Sequence, residues 1–297
     1  TPDRRNWETL ISGAVSAVAE TFDGLSLYAA IPGRVVAMRD ARIASDWILT
    51  STPIDEILPT LSNGVLAVTQ DEHTLRLIEG QTPLTIWNAP RSEADLRDVQ
   101  AAVMLGSEAL LKHRNGVVLH DIATRKYEDI PDADIPAALT APQVKLYPAG
   151  SASIWAVQPD GRIDIIQRGS DDPGRRALQS FGVEVSGAIR RFSPFGPDTF
   201  AGGSFKRGAF GILEGIGPVH YSVQNTTVIP NVLIGGPAPA GVLKAVAVDV
   251  MSDGSVLVAD ERQFWSYNFS TRDWIGPHPL HLDGQKTVDF FFNGHGV

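Results

Sequence analysis

Apolar residues along this chain fall into short runs, and most runs come in pairs separated by a glycine-containing break. "EILPTLSNGVLAVT" breaks at Gly64, "QAAVMLGSEALLKH" at Gly106, "QVKLYPAGSASIWAV" at Gly150, "IRRFSPFGPDTFAGG" at Gly196 and "KAVAVDVMSDGSVLVAD" at Gly254. Short apolar runs bounded by Gly, Pro, Asp, Asn and Ser read as β-strands. Glycine suits the turns because positive φ costs it no Cβ clash. Successive turn glycines stand 42, 44, 46 and 58 residues apart. Further strand-like runs follow each pair, after breaks such as "HRNGVVLHDI", "QPDGRIDIIQ" and "FKRGAFGILE". Each unit therefore reads as about four strands in roughly 45 residues, the size of a propeller blade.

The two ends fit the same period. "KTVDFFFNGHGV" closes the chain with an apolar run and the turn pair Asn293-Gly294, 40 residues after Gly254. "GLSLYAAIPGRVVAM" near the start has the second and third strands of a unit. Joining the two predicts a six-bladed β-propeller, closed by residues 287–293 pairing with residues 25–30. Closure of this kind removes exposed sheet edges. Ahead of it, Trp7, Leu10, Ile11, Ala14, Val15, Val18 and Phe22 follow the spacing of an amphipathic helix. The expected division is an N-terminal helix over 1–24 and the propeller over 25–297.

"DGSVLVAD", residues 253–260, resembles the strand–turn–strand phrase of NHL-repeat and gluconolactonase-like six-bladed propellers. The resemblance implies the fold. Gluconolactonase-like enzymes also hold a divalent cation with carboxylate and amide side chains in the channel. That ligand set has no residue-by-residue counterpart here, so a lactonase- or hydrolase-like enzyme using the channel stands as the alternative function.

Composition narrows the chemistry. The net charge is −9, from 34 acidic and 25 basic residues, which argues against nucleic acid and anionic lipid as partners. The absence of cysteine removes disulfides, thiolate metal sites and thiol nucleophiles. No apolar run approaches a membrane span, and the start "TPDRRNWETL" lacks the unbroken apolar segment of a signal peptide. The compartment stays open. No nucleophile motif, cofactor loop or metal set emerges; His278, His281 and Asp283 in "HPLHLD" alternate faces in an extended segment. The expectation is a non-catalytic binding or assembly module without cofactor or metal. Its expected partner is a protein, a glycan (including a surface or virion-type glycan-binding role) or a larger assembly.

Two candidate sites follow. The first strand of each blade lines a propeller's channel, and bases cluster near several predicted first-strand starts: Lys145, Arg191, Lys244 and Lys286. Together they predict a basic channel mouth for an anionic small ligand. The second candidate is a binding loop, "IPNVLIGGPAPAGV" over 229–242, with Asn231, Gly235, Gly236 and Gly241; its length accounts for the 58-residue spacing.

Overall fold

The computed structural model describes residues 15–20, 26–39, 42–48, 54, 56–60, 64–69, 74–78, 84–88, 99–113, 116–124, 126–149, 153–168, 178–184, 187–194, 208–214, 216–224, 227–232, 239–250, 255–268 and 271–280. Among them, 24 strands form six antiparallel sheets of four. Each sheet is built from strands consecutive in the chain. Sheet 1 holds β1 (Ala17–Glu20), β2 (Leu27–Ile31), β3 (Arg34–Arg39) and β4 (Arg42–Ile48). Sheet 2 holds β5 (Glu56–Pro59), β6 (Val65–Thr69), β7 (Thr74–Ile78) and β8 (Leu84–Asn88). Sheet 3 holds β9 (Val99–Leu105), β10 (Glu108–His113), β11 (Gly116–Asp121) and β12 (Lys126–Asp129).

Sheet 4 holds β13 (Lys145–Pro148), β14 (Ser153–Val157), β15 (Arg162–Arg168) and β16 (Leu178–Glu184). Sheet 5 holds β17 (Ile189–Pro194), β18 (Gly208–Leu213), β19 (Gly217–Gln224) and β20 (Thr227–Val232). Sheet 6 holds β21 (Ala247–Val250), β22 (Val256–Ala259), β23 (Gln263–Asn268) and β24 (Asp273–Pro279). The first strands meet one another: β1 lies beside β5, β5 beside β9, β9 beside β13 and β17 beside β21.

Cores form between neighbouring sheets, because each sheet is apolar on both faces. Val35, Ala37 and Tyr28 of sheet 1 pack on Ile57, Val65 and Ala67 of sheet 2. Leu66 and Val68 meet Met104 and Leu111 of sheet 3. Leu110 and Leu119 meet Ile154 and Ile166 of sheet 4 under a short connector. That connector carries the helix α1 (Ala137–Thr140), whose Ala138 and Leu139 are buried. Trp155 and Ile165 meet Phe192 and Tyr221 of sheet 5, and Phe210 and Ile212 meet Val258 and Trp265 of sheet 6.

Three expectations are corrected. Residues 17–20 form strand β1 rather than part of a helix, and residues 15–16 are not helical either; the rest of the expected helical segment, residues 1–14 and 21–24, lies outside the described residues. Sheet 1 thus takes a strand from each side of the expected boundary between residues 24 and 25. The expected closure also fails, because the hydrogen-bonding edges it needs are taken. β2 pairs with β1 through Ala17↔Ala30 to Glu20↔Leu27 and with β3 on its other edge, so both its edges are occupied and no further strand can pair there. Residues 287–293 lie outside the described residues. Finally, residues 229–232, expected in a loop, belong to strand β20, the outer strand of sheet 5. Pro230 is tolerated there because an edge strand does not need every backbone donor.

Candidate functional site

Lys145 opens β13 and is exposed. Lys244 closes the 3-10 turn Val242–Lys244 just before β21 and is also exposed. Arg191 is the third residue of β17, opposite Ile212 of β18. All three therefore sit at or near the beginnings of first strands, in three different sheets. Lys286 lies outside the described residues.

The loop candidates separate. Asn231 is a strand residue, paired with His220 across β19 and β20. Gly235 and Gly236 lie outside the described residues. Gly241 precedes the turn Val242–Lys244 and packs under an indole: a Cβ there would stand 2.2 Å from Trp265 Cη2 and 2.4 Å from Cζ2. Its glycine is a packing requirement between the connector and sheet 6.

Ionisable groups that the sequence did not single out are buried between sheets. Glu108 and Lys112 share one face of β10, with Leu110 between them, turned toward sheet 4. The Glu108 carboxylate pairs with Arg168 of β15, across the seam. Lys112, 6 % exposed, donates from Nζ to the carbonyl of Ala141 at 2.5 Å, tying β10 to the connector. Burial lowers its pKa. Asp164 of β15 is fully buried; it accepts from Arg162 Nε at 2.9 Å and from the Ser180 hydroxyl at 2.8 Å. Gly182, its cross-strand neighbour on β16, leaves the room, since a Cβ there would stand 2.2 Å from Asp164 Oδ1. Alternation along β10 and β15 carried a faint signal of this: charges occur on the same parity as core residues, where solvent-facing positions would not put them.

The histidines are structural in their surroundings. His120 on β11 is fully buried; burial lowers its pKa and the Asp121 carboxylate opposes that. His220 on β19 lies against Phe210, ring centroids 5.0 Å apart, and burial pushes it down to about 4. His278 of β24 lies on Phe264, again at 5.0 Å; His281 and Asp283 are outside the described residues. Among the described residues no group of three His, Asp or Glu is placed to hold a metal ion, and no helix is long and apolar enough to cross a membrane.

No family model matches the chain, and no curated protein matches it. Solved structures do. It is similar to the β-propeller domain of Cps50 (Swd1) from Myceliophteria thermophila, with a TM-score of 0.63 at 14 % identity over 97 % of this chain and 92 % of that one. It is also similar to the extracellular domain of the hybrid two-component system BT3049 from B. thetaiotaomicron. There the TM-score is 0.60 at 14 % identity, over 92 % of this chain and 34 % of that one. Identity this low shows architecture alone, and with the sheet order it makes the chain an all-β propeller.

Proposed function

We propose that this chain is a non-catalytic binding or assembly module. In this reading its six sheets form one six-bladed ring, which presents the ends where the first strands begin to a protein or glycan partner. At the channel mouth, Lys145, Arg191, Lys244 and Lys286 form a cationic rim for a small anion such as a phosphate, carboxylate or acidic sugar. The observation that carries the reading is the sorting of charge. Buried Glu108 is paired with Arg168 across a seam, Lys112 is bonded to the connector at Ala141, and Asp164 is bonded within sheet 4. Lys145 and Lys244 instead stand exposed where separate first strands begin. Both similar structures are domains, which fits a rigid recognition part of a larger protein.

Thermal titration with sulfate, phosphate and sugar acids tests the rim. An anion at a hundred times its Kd stabilises by roughly 2.7 kcal/mol, and the double variant K145A/K244A should abolish that shift. If no anion moves Tm, the rim is wrong and partner binding rests on the outer loops. A stoichiometric divalent ion in the purified protein would instead favour the lactonase-like alternative.

A further inference from the structure

Two unusual features meet on one short turn, Ala141-Pro142-Gln143-Val144, which carries the chain from the connector into β13. The first is a backbone conformation. Gln143 has φ 57°, in the left-handed region, where a Cβ crowds the backbone and where turns with proline in second place usually set glycine or asparagine third. Arg272, at φ 59°, shares this conformation for a local reason: its N–H bonds the Asn268 carbonyl at 2.7 Å and closes the hairpin between β23 and β24. Gln143 closes no hairpin; it is exposed and lies two residues before Lys145. The second feature is an anchor beneath the turn. Lys112, 6 % exposed, donates from its ammonium to the Ala141 carbonyl, and no carboxylate pairs with it among the described residues. A buried ammonium is costly unless it is bonded, so a costly group is committed to holding this turn. Val144 on the other side of Gln143 is buried. The turn is thus fixed on both sides of an exposed, strained residue, and such strain gathers at ligand sites.

We propose that Gln143 is a specificity-determining residue of the cationic rim, and that with Lys145 it selects a hydroxylated carboxylate, the chemistry of a sugar acid, over a plain carboxylate such as acetate. This rests on the rim proposed for Lys145, Arg191, Lys244 and Lys286. Two residues of chain span at most about 7 Å, so both side chains can meet one small ligand. The Lys145 ammonium attracts a carboxylate but offers only donors; the Gln143 carboxamide supplies an acceptor as well, so its oxygen can accept from a ligand hydroxyl. Glycine at this position would relax the backbone and remove the amide. Next to the turn, Lys145 pairs with Val157 of β14, and the Pro159 carbonyl two residues on accepts from the Ile189 N–H at 3.2 Å. Ile189 begins β17, the strand of Arg191. Gln143 therefore stands beside a bonded path that joins two of the rim positions.

Calorimetric titration of the full chain and of Q143A, Q143G and K145A with glucuronate, acetate and phosphate tests this, with Tm measured on each protein. The parent should bind glucuronate more tightly than acetate. Q143A and Q143G should weaken glucuronate about 3- to 10-fold, the range of one hydrogen bond, and leave acetate and phosphate unchanged. Q143G should also raise Tm, because glycine adopts the left-handed conformation without strain. K145A should weaken all three anions. A parent that binds none of the three removes the rim and this inference together. A parent that binds them, with Gln143 variants matching it for every anion, leaves the rim standing and makes Gln143 a turn residue only. Equal losses of all three anions in the Gln143 variants mean that the turn places Lys145 and the amide selects nothing. Either of these last two results overturns this inference alone.

Discussion

At the scale of single residues, three side chains give sharp expectations. Gly241→Ala forces a methyl group into the Trp265 ring, with backbone on one side and a packed indole on the other. Overpacking of this kind costs about 1–3 kcal/mol, and chemical denaturation should show it. Tyr221 is fully buried between sheets 4 and 5, and its hydroxyl has no hydrogen-bond partner among the described residues; burial raises its pKa. Replacing it with Phe removes a desolvated polar atom while keeping the ring near Phe192, so stability should hold or rise by about 1 kcal/mol. His220 gives a pH signature. The unfolded imidazole binds a proton near pH 6.5, whereas the folded one waits until about 4. The unfolded state therefore holds more protons in this window, and stability falls as pH drops from about 6.5 to about 4. The loss from this group is at most about 3 kcal/mol. H220F should flatten that limb of a Tm-against-pH curve; an unchanged slope would show that His220 titrates normally. None of these contacts was readable beforehand. Gly241 sits in a Gly- and Pro-rich stretch that looks like a free loop, and only the fold brings Trp265 over it.

Elements were more legible than contacts, and the reason is local. The recurring hairpins were visible because their turns need particular residues: Gly106, between β9 and β10, has φ 66°. β1 was misread because small and β-branched residues in "AVSAVAE" satisfy a helical spacing and a strand alternation at once. The inner edge of β2 decides between them, since its backbone groups need partners. Ser16 adds a bond from its hydroxyl to the Ile54 carbonyl at 2.6 Å, tying β1 to sheet 2. Between elements, the Glu108–Arg168 pair invites a double-mutant cycle. Glu108 is nearly buried and Arg168 is 39 % exposed, so solvent screens one partner only. E108Q alone should cost about 1–2 kcal/mol, and the coupling with R168M should be of similar size. A coupling near zero would mean that the seam between sheets 3 and 4 is held by its apolar cluster alone.

At the scale of the whole molecule, the proposed cationic rim would belong to an acidic protein. The order of the sheets brings Lys145, Arg191 and Lys244 to first strands that are far apart in sequence, and only the hydrophobic period made that placement legible. Which charged side chains face water and which are sealed in seams was not legible, because it depends on how neighbouring sheets pack. The net charge of −9 repels small anions at long range, so any attraction must come from groups within a Debye length of the ligand, about 8 Å at physiological salt. This fixes the salt dependence of binding. Raising the ionic strength from about 0.01 M to 0.15 M shortens the screening length from about 30 Å to about 8 Å. The distant negative charge is then screened out while the rim still acts. Phosphate affinity should therefore fall only modestly over this range, and K145A and K244A should each weaken it several-fold at both salts. An anion held elsewhere on the molecule would respond differently: the single variants would scarcely matter at either salt. Calorimetric titration of the parent and both variants at the two salts separates these outcomes, and variants that bind phosphate like the parent would remove the rim as a site.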